Sequence, residues 1–117
     1  MIKLLALDLD GTLLDPQGKI SEANKIAIRR AEQSGVLVTI ATGRRFRDAR
    51  PVALEAEFNA PIITHNGALL KFAQTLETVA YSLIETETVR EILRVGREFG
   101  GDALLSCDPH GKGTLLY

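Results

Sequence analysis

A short apolar run at residues 2–7 ends on Asp8-Leu9-Asp10-Gly11-Thr12. Residues 3–9 have the length and composition of a fully buried strand closed by a turn. In extended backbone, positions i and i+2 point to one side. The carboxylates of Asp8 and Asp10 therefore share a side where the strand ends. Their repulsion is costly unless a cation or a proton relieves it. Gly11 permits a sharp turn, and Thr12 adds a hydroxyl. Two carboxylates on a turning backbone suit a magnesium ion and a phosphate ester.

The pattern then alternates. Asp15-Pro16-Gln17-Gly18 is a loop. Ser21 is placed to cap a helix over residues 22–34, with Ala23, Ile26, Ala27 and Ala31 as its apolar face and Gly35 at its end. Residues 36–41 are a second apolar strand, rich in β-branched side chains, leading into Thr42-Gly43-Arg44. A helix is expected over 46–58, with Pro51 breaking or restarting its first turns. Residues 61–64 form a third short strand, followed by His65-Asn66-Gly67.

Strand, helix, strand, helix, strand predicts an α/β fold with a parallel sheet and right-handed crossovers. Ligands of open α/β sheets bind beyond the carboxyl ends of the strands. Three polar clusters, at Asp8/Asp10, Thr42/Gly43/Arg44 and His65/Asn66/Gly67, should therefore meet in one crevice.

After Gly67 the style changes. Residues 68–72 and 76–81 read as a hairpin around Ala73-Gln74-Thr75. Thr86 is a candidate cap for a helix reaching Phe99, with Val89, Ile92, Leu93 and Phe99 on its apolar face. Residues 103–106 and 114–117 read as strands joined through Asp108-Pro109-His110-Gly111. The division predicted is residues 1–83 as one unit and 84–117 as the start of a second, smaller α+β unit.

The balance of 14 basic and 15 acidic side chains gives a net charge of −1 and no electrostatic case for nucleic acid or an anionic membrane. No apolar run is long enough to cross a bilayer. The single cysteine, Cys107, cannot form an intrachain disulfide and suits a reducing compartment. Asp8 and Asp10 interrupt the apolar start too early for a secretory leader. The expected location is the cytoplasm.

Asp-x-Asp-Gly-Thr after a first strand and Thr-Gly-Arg after a second resemble the haloacid dehalogenase-like hydrolase superfamily. Thr64-His65-Asn66-Gly67-Ala68 narrows the likeness to its Cof-type phosphatases, in which an α/β cap (type IIB) is inserted between two parts of the core. The resemblance implies part of a Rossmann-like, three-layer parallel core followed by the beginning of the cap. It implies a magnesium-dependent phosphatase of small phosphorylated metabolites such as sugar phosphates.

In that scheme Asp8 is the nucleophile and forms an aspartyl-phosphate. Asp10 is general acid and then base. Magnesium is held by the Asp8 side chain and the Asp10 carbonyl. The Thr42 hydroxyl and backbone N–H groups around Leu9, Gly11 and Gly43 cradle the phosphate, and Arg44 and Asn66 line the substrate side. The family also uses a later lysine and one or two acidic residues after the cap, which this sequence does not reach. The expectation is a fragment of a longer protein, or an oligomer joined through the bare edge of its first strand.

Other readings compete. A calcium loop of D-x-D-G type would need glycine where Leu13 stands. A receiver-like signalling domain would need its phosphoacceptor after the third strand, where Thr64-His65-Asn66 stands. A non-catalytic phosphate-binding or assembly module is the alternative from another class. Asp15 reads as a turn residue, and His65 and His110 as loop residues. Arg45, Arg47 and Arg50 read as a solvated helix face, and Cys107 as a packed thiol.

Overall fold

A computed structural model describes residues 1–102, 104–105 and 115–116. They fall into two compact units, Met1–Tyr81 and Ser82–Tyr117.

In the first unit, β1 (Leu4–Leu7) and β2 (Leu37–Ile40) pair in parallel, from Leu4 opposite Leu37 to Leu7 opposite Ile40. The crossover between them is α1 (Glu22–Gln33), whose cap Ser21 accepts from the Asn24 amide. After α2 (Phe46–Ala56), β3 (Ile62–Thr64) meets β2 at one parallel bridge, Ala41 with Ile63. There the Thr42 N–H donates to the Ile63 carbonyl at 3.0 Å. All three strand exits therefore lie at one edge. β4 (Leu69–Lys71) and β5 (Thr78–Tyr81) continue antiparallel from β3.

The core joins Leu9, Val38, Ile40, Phe46, Ala53 and Ile62. Near the start of β2, Asn59 substitutes for a neighbouring strand. Its Oδ1 accepts from the Val38 amide at 2.9 Å and its Nδ2 donates to the Val36 carbonyl. The Thr39 hydroxyl donates to the Pro61 carbonyl beside it. Lys71 is buried, its ammonium 5.2 Å from the Phe46 ring centre.

Several expectations give way. β1 is not a fully buried strand: Leu4 is 54% and Leu5 37% exposed. Among the described residues β1 pairs with β2 alone, so there its other edge is unpaired and its side chains are largely exposed. The buried stripe of α1 is Ile28 with half-buried Asn24 and Ala31, whereas Ala23, Ile26 and Ala27 are exposed. The Asn24 amide donates to the Leu13 carbonyl, which turns that stripe inward. An apolar groove of about 230 Å³ is left between Leu5, Leu7, Leu13, Ala27 and Ile28.

Pro51 does not break α2, which runs through it without interruption. Pro51 and Arg47 are both exposed, so water can replace the hydrogen bond that proline forfeits.

The second unit contains α3 (Thr86–Glu98) and the antiparallel pair β6 (Leu104–Leu105) and β7 (Leu115–Leu116). Glu85 rather than Thr86 takes the cap position of α3, without a side-chain capping bond. No residue of α3 is buried. Its expected apolar face is therefore amphipathic in sequence but largely uncovered, and Phe99 just beyond it is 86% exposed. The turn at 108–111 and Cys107, together with the outer residues of the two expected strands, lie outside the described residues. Among those described, no helix is long and apolar enough to cross a membrane.

Candidate active site

Residues Leu9–Leu13 make one wide turn at the exit of β1. The Leu13 N–H donates to the Asp8 carbonyl at 3.2 Å and the Leu14 N–H to the Leu9 carbonyl at 3.0 Å. Both bonds span five residues, the spacing of a single π-type turn. Gly11 sits inside it at φ 75°, a left-handed conformation that glycine adopts without the Cβ penalty. Leu9 is fully buried while Asp8 and Asp10 on either side are exposed. The leucine thus anchors the turn and leaves both carboxylates facing solvent. Asp8 Oδ2 accepts from the Thr12 hydroxyl at 3.4 Å.

Asp10 finds its charge partner on the next strand. Arg44, at the exit of β2, donates from Nε to Asp10 Oδ2 at 2.9 Å and from Nη2 to Asp10 Oδ1. A planar guanidinium matches a carboxylate in this forked geometry. The hydrogen bond from Arg44 holds the Asp10 carboxyl below its ordinary value, and the same pairing raises Arg44.

The second and third exits interlock. Thr42 is buried, and its hydroxyl accepts from the Arg44 N–H at 3.1 Å, which leaves the hydroxyl proton free to donate. The His65 N–H donates to the Arg44 carbonyl at 2.9 Å, and the Asn66 N–H to the Thr42 carbonyl at 3.3 Å. His65 and Asn66 are both left-handed, at φ 53° and 55°. Such a conformation costs a non-glycine residue about 1–2 kcal/mol, so the two cross-loop bonds oppose real strain. Asn66 Oδ1 lies over Gly43, only 2.8 Å from where a Cβ would be.

The structure therefore brings the Asp8–Thr12 turn, Thr42, Gly43, Arg44 and Asn66 to one edge of the sheet. Asp15 turns its carboxylate onto the amides of Gln17 and Lys19 within its own loop. Arg45 pairs with Asp48 at 2.6 Å and Arg47 is exposed. Arg50 is not simply solvated; it donates to the Ala73 carbonyl and ties α2 to the β4–β5 turn. Among the described residues no three His, Cys, Asp or Glu side chains gather as a ready metal cluster.

Residues 5–112 match the family described as haloacid dehalogenase-like hydrolase. The chain belongs to the haloacid dehalogenase-like hydrolase family. It is 38% identical over 89 residues to the 5-amino-6-(5-phospho-D-ribitylamino)uracil phosphatase YcsE of Bacillus subtilis, covering 76% of this chain and 35% of that protein. Among solved structures, the haloacid dehalogenase superfamily phosphatase BT1666 of Bacteroides thetaiotaomicron superposes with a TM-score of 0.82 at 29% identity, over 99% of this chain and 41% of that one. The subclass IIB sugar phosphatase BT4131 shares the fold, with a TM-score of 0.80 at 23% identity, over 97% of this chain and 43% of that one. The chain spans only 24% to 35% of the length of curated relatives such as YhaX and YcsE.

Two features of this haloacid dehalogenase-like site were not foreseen. The fork between Arg44 and Asp10 joins residues 34 positions apart, and no local pattern announces it. His65 is a loop residue, but its Nδ1 lies 3.2 Å from the Thr64 hydroxyl and, among the described residues, its buried Nε2 has no partner. The consecutive left-handed positions before Gly67 were the readable trace, since Asn is one of the few residues to favour them.

Proposed function

We propose that this chain carries the nucleophile and much of the phosphate cradle of a magnesium-dependent phosphatase of small phosphorylated metabolites. The observation that carries the reading is the meeting of the Asp8 turn, the Arg44–Asp10 pair, Thr42 and Asn66 at one sheet edge. The phosphatase names of its relatives support it, a 5-amino-6-(5-phospho-D-ribitylamino)uracil phosphatase and an HMP-PP phosphatase among them, and a sugar phosphate is one substrate class of small phosphorylated metabolite to try.

In this reading a carboxylate oxygen of Asp8 attacks phosphorus as the ester P–O bond breaks, giving an aspartyl-phosphate. Asp10, once released and carrying a proton taken up from solvent, passes that proton to the departing alcohol and then, as a carboxylate, takes one from the attacking water. To do so its carboxyl must leave the fork of Arg44, which then turns to the phosphate. The Thr42 hydroxyl and the amides of Leu9, Gly11 and Gly43 donate to phosphoryl oxygens, and Asn66 lines the substrate side. An exposed Asp8 carboxylate and the Asp10 carbonyl are hard oxygen donors on one turn. They fit a magnesium ion and would hold it there. Such an ion supplies charge neutralisation during transfer. We place the protein in the cytoplasm, in keeping with its single cysteine.

The test is hydrolysis of a simple aryl phosphate with and without magnesium, beside Asp8→Asn. Magnesium-dependent turnover that disappears in the variant supports the nucleophile. Turnover that survives in Asp8→Asn overturns it. Magnesium-dependent binding of orthovanadate without turnover favours the second reading, a non-catalytic phosphate-binding or assembly module.

The open edge of β1, with Leu4 and Leu5 uncovered, favours that assembly role and a homo-oligomer joined there. Sedimentation would show mass rising with concentration, and Leu4→Lys would abolish the rise. A well-folded monomer at all concentrations overturns the oligomer.

A further inference from the structure

The ring of His65 is held in one chemical form. Thr64 is fully buried, and its hydroxyl gives its single proton to the Leu69 carbonyl at 3.2 Å. With that proton on Leu69 the hydroxyl accepts toward His65, and Nδ1 of the ring is then the donor across the 3.2 Å contact. A neutral imidazole then leaves Nε2 bare, and among the described residues this buried atom has no hydrogen-bond partner. A proton arriving at Nε2 would make a buried donor with nothing to accept it.

The backbone of the same residue carries the docking of the third loop. Its N–H donates to the Arg44 carbonyl and its carbonyl accepts from the Ala68 N–H at 3.1 Å. The next residue is Asn66, whose amide reaches Thr42 and whose side chain covers Gly43. His65 and Asn66 are both left-handed, so the turn keeps its shape only while these contacts hold.

We propose that His65 is a positioning residue: with its ring neutral and protonated at Nδ1 it clamps Asn66 against Gly43, and charging the ring releases that loop. The proposal rests on the reading of residues 42–44 and 65–67 as the phosphate loops. The charged groups that act on the ring come from the start of α2. Burial and the nearby Arg45 cation hold His65 below its ordinary value, and Asp48 opposes them. Asp48 is itself engaged by Arg45 and Arg47, which weakens that opposition. A ring charged by acid has its simplest relief in swinging toward water, and the 65–67 turn moves with it.

The experiment is heteronuclear NMR of the full chain between pH 5 and 8, with His65→Asn as the control. Asparagine tolerates the left-handed conformation, so that variant keeps the backbone, and it distinguishes His65 from His110. The expected result is an Nδ1–H tautomer at neutral pH and a titration midpoint below 6.5. The amides of Arg44 and Asn66 should shift along the same curve and lose that response in His65→Asn. Thr64→Val is a second control, in which the ring loses its fixed tautomer. An Nε2–H tautomer overturns the proposal, as do Arg44 and Asn66 amides that ignore the ring's titration. Titration with inorganic phosphate separates the two readings. If the amides follow His65 but phosphate never binds, the clamp stands and the phosphate assignment falls.

Discussion

The guanidinium of Arg44 grips the carboxylate of Asp10 through two nitrogens and so ties the exit of β2 to the exit of β1. It supplies a positive charge to Asp10. Because this fork lowers Asp10, Arg44→Met should return the Asp10 carboxyl upward toward its ordinary value of 3.8, as read by carbon NMR of the side chain. The sign follows from linkage. The pair stabilises the fold above the ordinary carboxylate value, and that contribution fades as pH falls through the lower folded value. Acid unfolding of Arg44→Met should lack this component. An unmoved Asp10 would show that the fork does not persist in solution.

Gly43→Ala should separate folding from binding. The new Cβ would meet Asn66 Oδ1 at 2.8 Å, the end of an exposed side chain that can swing away. Stability should therefore change by no more than about 0.5 kcal/mol. The side-chain amide of Asn66 should shift in NMR, and orthovanadate binding should weaken. Binding as tight as in the parent chain would remove Asn66 from the site.

Leu9→Ala tests the anchor of the nucleophile turn. Leu9 is fully buried between two exposed acids. Its truncation should cost about 2–5 kcal/mol in denaturant unfolding. A loss below that range would mean that the turn holds Asp8 and Asp10 without its leucine.

Asn59→Ala tests the side chain that stands in for a strand. The Val38 amide would be left buried without an acceptor, and Val38 itself is fully buried. The expected loss is about 1–3 kcal/mol, visible as a lower melting temperature. Asn59→Asp keeps the acceptor for Val38 and should recover part of the loss.

Much of the fold was legible because its evidence is local. Apolar runs ending in turn residues located β1, β2 and β3, and Ser21 marked the start of α1 through its own hydroxyl. Where the reading failed, the cause was a distant partner. β1 was expected to be buried because leucines at 4, 5 and 7 resemble the inside of a sheet, but burial depends on what lies beside a strand. The exposed side of α1 was misjudged because Ala23, Ile26 and Ala27 obey helical spacing, which identifies a stripe without saying what covers it. Pro51 was expected to break α2, yet a lost hydrogen bond on a wet face is cheap. His65 looked idle because its tautomer depends on a hydroxyl whose own proton is committed to Leu69.

By itself the sequence determined the order of strands and helices, the pairing of carboxylates at 8 and 10, and the three polar clusters that end the strands. Those follow from backbone periodicity and turn chemistry, which act over a few residues. Only the tertiary structure decided that Arg44 neutralises Asp10, that Asn66 lies against Gly43, that Asn59 completes the edge of β2, and that β1 stays open. Each of these joins groups far apart in the chain, and their energies arise only when the fold brings them within hydrogen-bond or van der Waals range.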